Sequence, residues 1–546
     1  MTTNPSAIPS TTSSTSQGRR LRGHLGPVGI VFMVVAAAAP LTVIGGNMPL
    51  AMGLGNGAGA PVGFAIAALV LLVFSVGFVT MTPHVPEAGA FFSYVTVGLG
   101  QRMGKGIAVV ALIAYTAIQI GIYGYIGWAI SDTVAHYNGP VIPWPVYSFA
   151  VLAIVAVLGY RHIELSAKVL GVALTLEIGV VVLLDVLMVA DPGPAGVTFA
   201  SFDPAVFSQG TIGIAILFAL TGFIGFEATA VFRDEARDPE RTIPRATYAA
   251  VLIIGAFYAI TVWAFVVAIG PDQVTGVAQQ TLDGDGNMLL DTTGATMGTL
   301  GRDVVNVLLL TSLFACVLSF HNVIARYQFV LARKGLLPAR LGAVHDDHDA
   351  PSFSSVVQTI TATVIVAVLA VLGIDPLVGV FGSMAGVATV GMVTLMLTTS
   401  VAVLVFFLRH PDRAAGRVFR TRIAPALAVL GLLASLVAGA VQFHAGHGRQ
   451  RDTERDPCGD PVCRLGRRVP GLAPVAAPVS VGPRHRARRG SSARRAVTSS
   501  THRRRGRLRV RCGWPRDACR AQACSCAGTL RVPPCSRPAA GTRAAR

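Results

Sequence analysis

The chain has 546 residues, of which 52% are apolar and only 13% charged. Soluble domains carry about a quarter charged residues, so this composition excludes an ordinary soluble enzyme and points to a membrane protein. The net charge of +18 belongs to one end: residues 1–443 hold 21 Lys+Arg against 22 Asp+Glu, and residues 444–546 hold 24 Arg against 5 acids, with seven of the eight cysteines.

In chain order, residues 1–25 are rich in Ser and Thr, include Arg19, Arg20 and Arg22, and read as a disordered cytoplasmic arm. The apolar run from Pro27 to Met52 is too long for the h-region of a signal peptide and lacks a small-residue cleavage site, so it is taken as an uncleaved first span. A bilayer core needs about 20 apolar residues per helix. Eleven spans are expected, near residues 28–52, 62–82, 104–131, 146–160, 167–190, 206–232, 247–270, 303–330, 355–373, 377–408 and 423–443, forming a transmembrane domain over 26–443. With the N-terminus inside, 20 of the 21 Lys+Arg before residue 444 fall in inside segments, and only Arg302 falls outside. That asymmetry sets the expected orientation of a multi-pass protein of the cytoplasmic membrane.

Two spans carry helix-breaking residues. Span 1 reads "VVAAAAPLTVIGGNMPLAMGLG", where Pro40 removes a backbone donor and Gly45-Gly46 weaken the helix. Span 6 reads "FALTGFIGFE", with Gly222 and Gly225 mid-span and Thr221 placed to satisfy freed backbone. A plain kink explains either alone. Five spans apart, the two sit at matching positions of two halves that run inverted, the pattern of a transporter site. Facing unwound segments offer N–H groups to a carboxylate and C=O groups to an ammonium, and an α-amino acid carries both.

Three stretches then resemble amino acid permeases of the amino acid–polyamine–organocation (APC) superfamily. They are "PEAGAFFSYVTVGLG" (86–100), "FALTGFIGFEATAVFRDEARDPERTIPRA" (218–246), the most specific, and "NVIARYQFVLARKGLLPARLGAVHDDHDAP" (322–351). The resemblance covers about residues 25–443. It implies an all-α polytopic membrane protein with the five-plus-five inverted-repeat transporter fold, broken at helices 1 and 6 and working by alternating access. Two departures stand out. The family's usual Gly-Ser-Gly core of helix 1 is replaced by Ile44-Gly45-Gly46-Asn47, so the carboxylate-binding serine is absent, and the usual twelfth helix is missing.

On this reading Ile44, Gly45, Gly46 and Asn47 form one half of the substrate site, with backbone donors toward the carboxylate. Phe218, Ala219, Leu220, Thr221 and Gly222 form the facing half, with carbonyls toward the ammonium. Phe223 or Phe226 is a candidate aromatic lid, although ordinary packing explains any single Phe as well. Glu177 lies inside span 5, where a charge is costly. It sits nine residues after Lys168, the spacing at which some cationic amino acid carriers of the superfamily place a lysine that mimics a coupling cation. Glu177 therefore either carries a coupled proton or is a carboxyl hydrogen-bonded to span 1 or span 8. Asp185, on roughly the same helix face, is expected at the membrane interface. Glu227 is read as a gate-side acid, either sensing protons or hydrogen-bonded to broken span 1. The loop from Arg233 to Arg245 alternates in charge and is expected to be a salt-bridged cytoplasmic hook, with Pro244 opening span 7. His321 and Asn322 are read as packing residues.

Residues 444–546 lack Phe, Tyr, Met, Ile, Asn and Lys, the residues of AT-rich codons. The tail reads as disordered or as the product of a frameshift near codon 443. A basic nucleic-acid or lipid-binding tail is the rival, but nothing in it indicates a specific nucleic acid, and the spacing of Cys512, Cys519, Cys524, Cys526 and Cys535 fits no standard metal site. No P-loop or H-E-x-x-H is present, so neither a cofactor nor an enzyme activity is expected. The expected function is a secondary transporter of an amino acid or related amine, coupled to H⁺ or working by exchange. A non-transporting receptor of the same fold and an inactive truncated permease are the alternatives.

Overall fold

The computed structural model describes residues 26–85, 91–161, 167–227, 238–343, 352–414 and 416–453. The arm 1–25, most of the tail, and Arg233 to Arg237 of the expected hook lie outside these residues. The principal helices are α1 (Pro27–Ala37), α2 (residues 40–56), α3 (Ala60–Met81), α4 (Phe91–Leu99), α5 (Gln101–His136), α6 (Trp144–Tyr160) and α7 (Ala167–Ala190). They continue with α8 (Ile212–Thr221), α9 (Pro239–Ile269), α10 (Val274–Asp283), α11 (Met288–Arg333), α12 (Ser352–Val371), α13 (Ser383–Arg409) and α14 (Ala424–Thr453). Among the described residues eight helical stretches are long and apolar enough to cross a bilayer, and α6 and α8 are shorter apolar helices. The protein is an all-α polytopic membrane protein.

Within the described residues, the expected spans other than 1 and 6 lie mainly in continuous helix. Span 5 is α7 to the residue. Span 8 is the part of α11 beyond Gly298, whose φ of 74° and ψ of −175° kink the helix. Arg302, the one basic residue read as outside, is buried and pairs with Asp291 at 3.4 Å. The pair spans the kink of α11 at Gly298. α14 runs past the expected end of span 11, to Thr453.

The inverted repeat is visible in element order. The short helix α4 precedes the long α5 of span 3, and the short helix α10 precedes the long α11 of span 8. α3 packs on α9, α8 and α14, while α5 packs on α13, α11 and α6. Helices in lipid gain little from hiding apolar surface, so small residues that permit close approach do much of the work. Gly98 lies against the Ala402 backbone, Gly391 against Ala114, and Gly127 against Ser148. The Ser148 hydroxyl donates to the Tyr123 carbonyl at 2.7 Å.

Candidate functional site

Span 1 does break, but not where the glycines are. The helix stops at Ala38 and Ala39, between α1 and α2, and Ala39 is left-handed (φ 46°, ψ 72°). The cause is Pro40. It has no N–H to donate, and its ring disfavours helical backbone at the residue before it. Gly45 and Gly46 lie in a wound π-turn over Val43–Asn47. They serve packing: a Cβ on Gly45 would overlap the Tyr125 hydroxyl, and one on Gly46 would come within 2.6 Å of the Phe381 ring. The expectation of backbone freed by unwinding at Gly45-Gly46 is therefore corrected to Ala38-Ala39.

Span 6 breaks at its glycines, as expected, just beyond the expected half-site residues Phe218 to Thr221. Phe218 to Thr221 are still wound in α8, and residues 222–227 form a series of turns with Gly225 at φ 108°. Short i to i−3 bonds stitch these turns, from Gly222 N–H to the Ala219 carbonyl at 3.1 Å and from Phe223 N–H to the Leu220 carbonyl at 3.1 Å. Glu227 closes the break: its Oε2 accepts the Gly225 N–H at 2.9 Å, and its Oε1 accepts the Tyr115 hydroxyl of α5 at 2.7 Å. Its partners are thus span 3 and its own segment, not span 1.

The two breaks meet at Tyr258 of α9. Its hydroxyl donates to the Ala38 carbonyl at 3.3 Å. A Cβ on Gly222 would lie 2.9 Å from Val43 and 3.2 Å from the Tyr258 ring, so Gly222 lets span 6 close on both. Phe223 meets Tyr258 edge-on at 6.1 Å, whereas Phe226 joins a different cluster with Phe74 and Phe91. Asn47 donates to the Phe218 carbonyl at 3.3 Å, joining the two expected half-sites directly. The Thr221 and Thr389 hydroxyls are hydrogen-bonded, tying span 6 to span 10.

Glu177 reaches this centre from span 5. It is buried, with the Leu41 backbone, the Ser312 hydroxyl, Tyr258 and Cys316 as its polar neighbours. Leu41 is in the first turn of α2, the positive end of that helix half, where an anion is favoured. Glu177 thus touches both span 1 and span 8. Next to it, the buried Thr42 hydroxyl has no hydrogen-bond partner. Asp185, expected at the interface, is buried and accepts the Thr261 hydroxyl at 2.7 Å. His321 lies in a buried network, 3.3 Å from Gln119 and 2.8 Å from Ser355. Of the charged hook, Asp238, Glu240, Arg241 and Arg245 are described. Asp238 and Arg241 form an exposed 3.9 Å pair, so their contribution is small. Tyr258, Thr42, Tyr115 and Thr389 were not singled out in the sequence. The Pro40 rule and a tyrosine inside span 7 were the available signals for the first two.

Two interrupted helices meeting within a bundle of membrane helices, with the charged groups of the site turned inward, define a membrane transporter. A family model described as "Amino acid permease" matches residues 25–454, and the chain belongs to that family. It is 23% identical over 440 residues to the branched-chain amino acid permease BcaP of Bacillus subtilis (strain 168), an alignment covering 77% of this chain and 88% of that one. It is also similar to the methylthioribose transporter of the same organism (22% identity, covering 69% and 79%) and to its serine/threonine exchanger SteT (22% identity, covering 49% and 59%).

Proposed function

We propose that this protein is a secondary active transporter that moves an amino acid or a related amine across the cytoplasmic membrane by alternating access, with its N-terminus in the cytoplasm. The observation that carries the reading is the meeting of the two helix breaks at Tyr258, with the buried Glu177 beside the Leu41 end of α2. In this reading the substrate carboxylate is met by the N–H end of α2, at Leu41 and Thr42. The ammonium is met by the carbonyls at the two breaks, Ala38 beyond α1 and Gly222 beyond α8. Ile44, Gly45, Gly46, Asn47 and Phe218 form the wall and keep the two spans in register. Phe223 lies beside Tyr258 and is the better lid; Phe226 and Glu227 hold the inner part of span 6. Tyr125, Phe381, Leu289 and Leu309 surround Gly45 and Gly46 and favour an apolar substrate side chain over a charged one.

Glu177 supplies the coupling. Ionised, it occupies the N–H that the substrate carboxylate needs, and it repels that carboxylate. Protonated, it does neither. Proton and substrate therefore bind cooperatively, which is the requirement for symport. Exchange of one substrate for another uses the same site with Glu177 protonated throughout. The test is uptake into proteoliposomes. A neutral apolar amino acid should accumulate when the outside is acidic, and excess unlabelled substrate inside should drive counterflow. Binding with neither accumulation nor counterflow would make the protein a receptor.

A further inference from the structure

Asp185 is a second buried acid that the substrate site does not use. It lies in α7, two turns beyond Glu177 and, in the proposed orientation, toward the outer surface. It is 8% exposed. One carboxyl oxygen accepts the Thr261 hydroxyl at 2.7 Å, and the other is buried without a hydrogen-bond partner. Among the described residues no cation pairs with it, and Thr261 of α9 is the polar group that faces it. An acid left half-satisfied at membrane depth is costly, and structure alone does not repay that cost.

The neighbours give it a use. Thr261 lies one turn outward from Tyr258 on α9, on the same face. The hydroxyl of Tyr258 donates to the Ala38 carbonyl at 3.3 Å. The packed seam between α7 and α9 thus carries the Asp185–Thr261 pair on its outer side and, further inward on the same two helices, Glu177 and Tyr258, all four buried. The rise between the two acids is about 12 Å, too far for one hop but within reach of two rotatable hydroxyls and intervening water. Among the described side chains, Glu177 has Tyr258, Cys316, Ser312 and the Leu41 backbone as its neighbours.

We propose that Asp185 is the outer loading site for the coupled proton, which travels to Glu177 along the α7–α9 seam rather than through the substrate vestibule. Asp185 takes a proton from outside water. Each hydroxyl or water on the seam accepts one proton and releases another, and the Glu177 carboxylate receives the last. Only O–H bonds form and break, and Asp185 returns to the carboxylate. The proposal rests on Glu177 being the coupling acid.

The test uses the full chain in proteoliposomes containing a trapped pH dye, with radiolabelled leucine as probe. The wild type should take up protons with leucine. Asp185→Asn should lower accumulation driven by a pH gradient about tenfold more than it lowers counterflow, within the range of site–site coupling. Glu177→Gln should abolish the pH gradient's effect altogether. Asp185→Glu, which keeps a titrating group, should recover gradient-driven accumulation and guards against a folding defect in Asp185→Asn. Equal loss of both activities in Asp185→Asn with no recovery in Asp185→Glu would make Asp185 structural, and unchanged gradient-driven accumulation would overturn the pathway while leaving Glu177 in place. A wild type that moves no protons with leucine would overturn both readings.

Discussion

At the scale of single residues, two positions separate packing from chemistry. Gly45 lies under the Tyr125 hydroxyl, so Gly45→Ala forces a side-chain shift and should destabilise by about 1–3 kcal/mol, the usual cost of overpacking. Adding Tyr125→Phe removes the overlapping oxygen and should recover much of that loss, as read by thermal unfolding of the detergent-purified protein. Equal stability of the single and double variants would contradict the packing role. Glu177 behaves differently. Substrate uptake should rise as the outside pH falls, because protonation frees the Leu41 N–H, and Glu177→Gln should flatten that dependence. A Gln variant with wild-type pH dependence would remove Glu177 from coupling. The sequence made Glu177 conspicuous because a carboxylate in an apolar run is costly wherever it points. It did not reveal that Asp185 is buried as well, because burial depends on which face α9 covers, and periodicity cannot give that.

At the scale of elements, the existence of the two broken helices was legible and their exact registers were not. In span 1 the glycines drew attention to residues 45–46, but the break is set by Pro40 acting on Ala39. A glycine weakens a helix by about 1 kcal/mol, a cost that close packing against Tyr125 and Phe381 readily offsets, whereas a missing N–H is not restored by packing. Ala39 occupies left-handed backbone, which costs a non-glycine residue roughly 1–2 kcal/mol. Ala39→Gly should therefore be tolerated or stabilising, whereas Ala39→Val should lower both stability and uptake. Better stability with Val than with Gly would contradict the assigned break. Tyr258→Phe removes the bond to the Ala38 carbonyl and keeps the ring beside Phe223. It should change fold stability by no more than about 1 kcal/mol, the usual net worth of one hydrogen bond, and should not weaken substrate affinity, since it frees the Ala38 carbonyl for the ammonium without opening a cavity. In span 6 the expected free carbonyls at residues 218–221 are still within α8, because its helical bonds persist until Gly222, and Glu227 stitches the segment beyond.

At the scale of the whole molecule, apolar length made the all-α membrane fold readable, with eight stretches long and apolar enough to cross a bilayer among the described residues, and the matching breaks and short helices before spans 3 and 8 repeat the same plan in both halves. Which faces meet was not readable, since most membrane helices here are apolar all round and small residues decide the contacts. The composition change near residue 443 was also plain, and α14 is described to Thr453, past the expected end of span 11. Transport is assigned here to residues 26–453. A chain ending at Thr453 should retain uptake within about twofold of the full chain, and its loss would give the Arg-rich tail a role in transport. The most direct measurement of the central claim is leucine flux in proteoliposomes holding the full chain, with an acidic outside. The expected result is accumulation above equilibrium that collapses with the pH gradient, together with counterflow when the gradient is absent. Saturable leucine binding with no accumulation and no counterflow would contradict it.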